Sequence, residues 1–324
     1  MTAFVDADGF LVVHEEAVVD LHGPDGEVEA RHVIDREAIQ ALNAALAARR
    51  PLLVRGEPGT GKSQLARAAA ELLGRALVPF TVDALTEPRD LLYRVDDVAR
   101  LAEAQIQSAS PGTGGARAAV AVANFLSPGP LWWAFEWKTA SHQQDLGNGD
   151  CRPIRPAGDW DESKGCVVLI DEIDKADASV PNGLLDALGH GRFDVRGHRP
   201  IRQAGAPPLV IITTNEERAL PDAFLRRCLV LQLGLPTDEK ALSRVLVRRG
   251  GAHFPQADAQ VLSEAAAMVV ADRAVVKARG LLPPGLAEYI DLLRVVLRPG
   301  SSVQQQLDLL AEVRRFALDK HPRS

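Results

Sequence analysis

The chain has 324 residues, a formal net charge of −6, 46% hydrophobic and 25% charged residues, and 5% aromatics. That is the composition of a soluble globular chain long enough for two domains, or for one large domain with a satellite. The acidic balance argues against a dedicated nucleic-acid binder. The irregular spacing of Cys151, Cys166 and Cys228 argues against a disulfide framework or a zinc site. "MTAFVDADGF" has no basic stretch leading into an apolar core, and no uncharged run reaches about 18 residues, so neither signal peptide nor membrane span is read. A cytoplasmic chain with reduced thiols is the expectation.

Residues 1–35 carry Val-rich runs on either side of "HGPDG", the pattern of a β arm or hairpin. "REAIQALNAALAAR" is spaced as a helix, "PLLVRG" as a buried strand running into glycine, and "KSQLARAAAELLG" as a helix stopped by Gly74. "ALVPFTVD" is another strand, and Pro79, lacking an N–H, suits an edge or a bulge. Residues 84–165 read as an insertion. "EPRDLLYRVDDVARLAEAQIQ" is read as helix, "SASPGTGG" as a break, "NFLSPGPLWWAFEWKTA" as an apolar segment turning at "SPGP", and 141–164 as a polar loop or flap. Trp132, Trp133 and Trp137 are read as core beneath the insertion, with a partner-binding patch as the competing reading.

Order returns with the strand "CVVLIDEID", the helix "SVPNGLLDALGHG" and a hairpin "RFDVRGHRPI" turning at Gly197, with His190 and His198 exposed beside it. "PPLVIITTN" and "CLVLQLGLP" are two more buried strands. Beyond Pro236 the pattern is helical over 238–249, 256–272, about 285–298 and 302–319. The chain therefore divides into 1–35, an α/β unit over 36–236 and a helical unit over 237–324.

The chemistry sits between these elements. Gly56-Glu57-Pro58-Gly59-Thr60-Gly61-Lys62-Ser63 fits G-x-x-x-x-G-K-[ST], between a strand and a helix that continues with Gln64. Glycines let the backbone curl until its N–H groups face phosphate oxygens, and the helix N-terminus adds partial positive charge. Lys62 suits the β- and γ-phosphates of a nucleotide such as ATP, and the Ser63 hydroxyl suits Mg²⁺. Four apolar residues precede Asp171 and Glu172, placing both acids at a strand's carboxyl end, where open parallel sheets bind ligands. Asp171 is the candidate metal ligand and Glu172 the group that polarises water. Asn215 ends a second such strand and can orient that water, although a turn-capping asparagine looks the same in sequence.

With Arg226 and Arg227 and the helical tail, these motifs resemble the AAA+ ATPases over about residues 36–320. The insertion "VDALTEPRDLLYRVDDVARLAEAQ", the returning segment "PGPLWWAF" and the hairpin "GRFDVRGHRPI" resemble the MoxR-like branch more narrowly. The resemblance implies an αβα P-loop sandwich with a five-stranded parallel sheet, a helical lid, and Mg²⁺-dependent ATP hydrolysis in a homo-oligomeric ring, a hexamer. It implies that Arg227, with Arg226 second, reaches a neighbour's nucleotide, where a guanidinium can fork onto the γ-phosphate. The competing reading is a pair of intrachain surface ion pairs. The output implied is chaperone-like remodelling of a protein partner, such as one bearing a von Willebrand factor A domain. The alternatives are a nucleotide-dependent switch or scaffold in a defence or signalling system and, less in keeping with the acidic charge, a nucleic-acid motor. The family's basic residue at the start of the third lid helix falls near Leu282 here, which leaves Lys277 or Arg279 as substitutes, or none.

Overall fold

The structure, a computed structural model, describes residues 3–6, 9–23, 25–109, 122–147, 149, 151–158 and 160–317. Its first elements are two antiparallel pairs: β1 (Phe4–Val5) with β2 (Leu11–Val12), and β3 (Glu16–His22) with β4 (Val28–Asp35). Along β3, Ala17, Val19 and Leu21 are buried while Val18 and Asp20 meet solvent, as a strand covered on one face requires. Asp35 ends β4 and caps α1 (Arg36–Ala48), its carboxylate accepting from the Ala38 N–H at 2.9 Å.

β5 (Leu52–Arg55) leads through the glycine-rich loop into α2 (Lys62–Leu73), which Gly74 closes in the left-handed region, and β6 (Ala76–Thr81) follows. The insertion contributes β7 (Tyr93–Val95), α3 (Asp97–Ala109), β8 (Leu126–Pro128), α4 (Pro130–Phe135) and α5 (Trp137–Leu146). Next come β9 (Cys166–Asp171), α6 (Ser179–His190), the short pair β10 (Arg192–Phe193) and β11 (Ile201–Arg202), β12 (Leu209–Thr214), α7 (Asp222–Leu225) and β13 (Leu229–Gln232). Four helices end the described chain: α8 (Glu239–His253), α9 (Ala259–Ala278), α10 (Leu286–Val296) and α11 (Val303–Ala317). No described helix is long and apolar enough to cross a membrane.

The central sheet has the order β13-β5-β12-β9-β6, and every pairing is parallel. Its strands read as unbroken apolar runs because both faces are covered. Leu53, Val168, Ile170, Val210 and Ile212 join a core with Trp132 and Leu184. Their alternates Leu52, Val54, Val167, Leu169 and Ile211 join a second core with Leu42, Leu65 and the N-terminal hairpin. Pro79 lies on β6, an edge strand, where its missing N–H costs no ladder bond. A third core, including Leu246, Val269, Tyr289 and Leu293, is formed by α8 to α11.

The insertion departs from the helix read over 87–107. Residues Pro88–Leu91 form a 3-10 turn, Tyr93–Val95 pair antiparallel with Leu126–Pro128, and only from Asp97 does the helix run. The partner strand lies some thirty residues away, beyond the reach of local periodicity. Most of the "SASPGTGG" break lies outside the described residues. The polar loop 141–164 begins inside α5, and its later part is tied to β6 by reciprocal bonds of 2.8 Å between Leu77 and Ile154; residues 148, 150 and 159 are outside the described set. Trp132 and Trp133 are buried. Trp137 is half-buried and bridges Trp133 (4.9 Å) to Trp160 (4.5 Å) in an aromatic stack. His198, read as exposed, is half-buried against the Trp132 ring at 5.1 Å. α9 runs on to Ala278, past the end read at 272.

Gly56, just beyond β5, is a close backbone crossing with the segment after β13. A Cβ there would lie 2.1 Å from the Leu233 carbonyl oxygen. Gly56→Ala is therefore expected to lower unfolding stability by at least about 1–2 kcal/mol, because backbone rather than a flexible side chain must move. Denaturant midpoints of the two proteins test this, and equal midpoints would show the crossing to be slack.

Candidate functional site

Parallel pairing brings the carboxyl ends of β5, β12 and β9 to one edge of the sheet, and the predicted site residues gather there. The cleft they form, about 390 Å³, is lined by Pro58, Gly59, Gly61, Lys62, Ser63, Gln64, Asp171, Glu172 and Asn215. That volume is in the range of small-molecule sites.

Lys62 opens α2 and is 7% exposed. Its ammonium donates to the carbonyls of Gly56 (2.8 Å) and Glu57 (3.0 Å) and to Asn215 Oδ1 (2.7 Å). Burial holds its pKa below the ordinary lysine value, while Asp171, Asp174, Glu172 and Glu216 pull the other way. Ser63 Oγ lies 2.9 Å from both carboxylate oxygens of Asp171, and the Thr213 hydroxyl also donates to Asp171. A hydroxyl and a carboxylate meeting beside a phosphate-sized loop are the oxygen donors a hard divalent cation takes. Gln64 Oε1 is buried at the wall of the cleft without a hydrogen-bond partner among the described residues.

Glu172 sits at φ 60°, ψ 45°, a left-handed conformation that a side chain adopts at a cost. Besides the 3-10 turn in which its carbonyl accepts from the Lys175 N–H (3.0 Å), these contacts hold it. Its N–H donates to Thr213 Oγ1 (2.9 Å), Lys175 Nζ reaches its Oε2 (2.6 Å), and Asn215 Nδ2 lies 3.4 Å from its Oε1. Asn215 thus stands between Lys62 and Glu172. Asp174 is taken up by backbone, accepting from the N–H groups of Glu217 (2.9 Å) and Asn215 (3.4 Å).

The far wall comes from elements that sequence reasoning did not connect to the site: Ala30, Arg31 and His32 of β4, His253 at the end of α8, and Leu286, Ala287, Ile290 and Arg294 of α10. A Cβ on Gly59 would fall 2.6 Å from that of Ala287, so the loop touches α10 directly. His32 is 8% exposed, and burial, helped by Arg249 and His253, drives its pKa down to about 3. Two missed residues did carry a signal. Thr213 shares a strand face with Asn215 at spacing two, and Lys175 follows Glu172 by one 3-10 turn.

Lys277 and Arg279 do not line the cleft. Lys277 faces a separate groove with Pro236 and Glu239, Arg279 is exposed, and Leu282 points largely to solvent. The first turn of α10 presents Leu286 and Ala287 in their place. Arg226 and Arg227 also lie outside it. Their side chains are exposed and make no hydrogen bond or ion pair to a described residue. Their backbone is held by Arg50, whose Nε donates to the Arg227 carbonyl (3.0 Å) and whose Nη2 reaches those of Arg226 and Cys228.

The family described as AAA domain (dynein-related subfamily) matches residues 51–249, more than half of the chain. No curated protein matches the chain. Among solved structures, a proline-to-glycine mutant of RuvB from Thermotoga maritima is similar at 17% identity and a TM-score of 0.45, over 86% of this chain and 68% of that one.

His32 gives the site a pH signature. Its folded pKa lies below the ordinary value of 6.5, so its contribution to stability is full above pH 6.5. It is lost as pH falls toward about 3, because the unfolded chain takes up the proton first. Urea unfolding at pH 7.5 and 5.5 should show a loss approaching about 1.4 kcal/mol per pH unit below 6.5 that His32→Leu lacks. Parallel pH profiles for the two proteins would assign the imidazole another environment.

Proposed function

The chain belongs to the dynein-related subfamily of AAA domains, and from that premise we propose that it hydrolyses ATP with Mg²⁺ as a ring of its own copies, remodelling a protein client. The observation that carries the reading is the line Lys175–Glu172–Asn215–Lys62 running beside Ser63 and Asp171 at the sheet edge.

Each residue then has one task. The loop from Gly56 to Gly61 turns N–H groups toward the phosphates, and Lys62 exchanges the carbonyls of Gly56 and Glu57 for phosphate oxygens. Ser63 and Asp171 would hold Mg²⁺, which when bound neutralises charge on the β- and γ-phosphates. Glu172 draws the proton of the attacking water, and Asn215 orients that water against the γ-phosphate. Arg227, with Arg226 beside it, serves the neighbouring subunit. Their exposure and their lack of an intrachain partner among the described residues support this reading over surface ion pairs. The MoxR-like branch, and with it a protein adaptor of which a von Willebrand factor A domain is the expected kind, rests on the resemblance of the insertion, the returning segment "PGPLWWAF" and the hairpin before β12.

A second reading has its own observation. The Lys175 ammonium lies 2.6 Å from Glu172 Oε2, an ion pair that must part before Glu172 can serve a water, as a slow nucleotide-dependent switch would need. Turnover distinguishes the two: a remodeller hydrolyses steadily and is stimulated by its client, whereas a switch changes assembly between ATP and ADP with little turnover.

Glu172→Gln is expected to keep ATP binding and lose about 10²–10⁴-fold in turnover, since an amide cannot take the proton. Single-turnover hydrolysis measures it, and wild-type rates in the variant would remove Glu172 from its role. Arg227→Ala should bind ATP normally yet hydrolyse about 10³-fold more slowly as a ring. Mixing it with Lys62→Ala should restore part of the activity, because each variant supplies what the other lacks. Absence of rescue at every mixing ratio would place Arg227 outside the neighbour's site.

A further inference from the structure

With Lys277 and Arg279 turned away from the cleft, and Leu286 and Ala287 at the start of α10, two other residues carry charge from the helical unit to the glycine-rich loop: Arg249 of α8, which donates to the Thr60 carbonyl at 3.4 Å, and Arg273, which meets a loop side chain. Arg273, near the carboxyl end of α9, is 8% exposed. Its Nη2 donates to both carboxylate oxygens of Glu57, at 2.7 and 3.0 Å, and its Nη1 to the Pro284 carbonyl at 3.0 Å. Glu57 is the second residue of the loop. Its own backbone carbonyl is one of the three acceptors of the Lys62 ammonium. One residue therefore touches the phosphate-binding lysine through its backbone and the helical unit through its side chain.

We propose that Glu57 and Arg273 form a coupling pair through which occupancy of the phosphate loop sets the docking of α9 and α10 over the nucleotide. The proposal rests on the nucleotide reading above.

The physics is that of a buried charge. A guanidinium removed from water is stable only while paired, so Arg273 favours the arrangement in which α9 stands on the loop. When phosphate oxygens draw Lys62 away from the carbonyls of Gly56 and Glu57, the Glu57 peptide changes partners and its carboxylate moves with it. The contact of Gly59 with Ala287 gives the same joint a steric stop. Arg273 is thus a positioning residue, acting on nucleotide affinity without touching the reacting atoms. The pair is asymmetric. Loss of Arg273 leaves Glu57 partly in water, its side chain being 41% exposed, whereas loss of Glu57 strands a buried cation.

The test uses the full chain and ADP as probe, with Arg273→Gln, Arg273→Lys, Glu57→Gln and the double Gln variant. Wild type should bind ADP and gain hydrogen-exchange protection in α9 and α10. Arg273→Gln should weaken ADP binding about tenfold and abolish that protection. Its KM for ATP should rise while kcat is retained, and Arg273→Lys should recover part of the affinity. The double variant should be no weaker than the poorer single, and because it leaves no lone buried ion it stands in for Glu57→Gln should that variant fail to fold. Wild-type affinity and protection in Arg273→Gln, or additive losses in the double, would overturn the coupling while leaving the nucleotide reading intact. A wild-type chain that binds no ADP would overturn both.

Discussion

Burial of the Lys62 ammonium is the constraint on which the rest of the architecture depends. A charge at 7% exposure must be surrounded by acceptors, and here two come from its own loop and one from Asn215, 153 residues away. The third acceptor requires β12 to lie beside β5, and the observed register, Thr214 against Arg55, brings Asn215 level with the start of the loop. β12 must also pair with β9 on its other side, Ile212 against Ile170, so that Asp171 and Glu172 emerge at the same height. Strand order, register and site chemistry are then one arrangement. A slip of one residue along either ladder would exchange both apolar faces and carry the cation away from its acids.

Around that cation the negative groups are committed to different degrees, and the differences separate their roles. Asp174, 2% exposed, accepts from two backbone amides and serves the turn after Asn215. Asp171 accepts from Ser63 and Thr213, hydroxyls that a divalent ion can replace or share. Glu172 has the looser setting: a strained backbone, a lysine one turn on, and a long contact to Asn215. A carboxylate held at a cost by exchangeable partners is the group that can change partners within a catalytic cycle.

Those parts of the fold that rest on contiguous residues were legible in the sequence. β5, β9 and β12 are apolar on both faces, as strands of a covered parallel sheet are, and the acids and Asn215 lie at or just beyond the ends of those runs. Pro79 announced an edge or a bulge through the one bond it cannot make, and β6 is an edge strand. What escaped was information held between segments. Tyr93–Val95 is a strand only because Leu126–Pro128 meets it, and alone "LLYRVDD" reads as the lead-in to a helix. His32 looks like any residue of an alternating strand until Gly61 and His253 close around it. The basic residue sought near Leu282 could not be found by position, since the guanidiniums that reach the loop leave α8 at Arg249, toward the Thr60 carbonyl, and α9 at Arg273, whose partner lies 216 residues earlier.

Arg50 and its two exposed neighbours differ for a related reason. Arg50 commits its guanidinium to the carbonyls of Arg226, Arg227 and Cys228, which follow α7 in the turn leading into β13. That clamp fixes the backbone from which Arg226 and Arg227 project while leaving their side chains without acceptors among the described residues. The two exposed guanidiniums have no side-chain partner among the described residues and repel each other only weakly through water. An anion arriving from outside would meet a backbone already ordered by Arg50, which loses less entropy in the contact. In the proposed ring that anion is the neighbour's triphosphate, and the intrachain clamp lowers the entropy cost of the intersubunit contact.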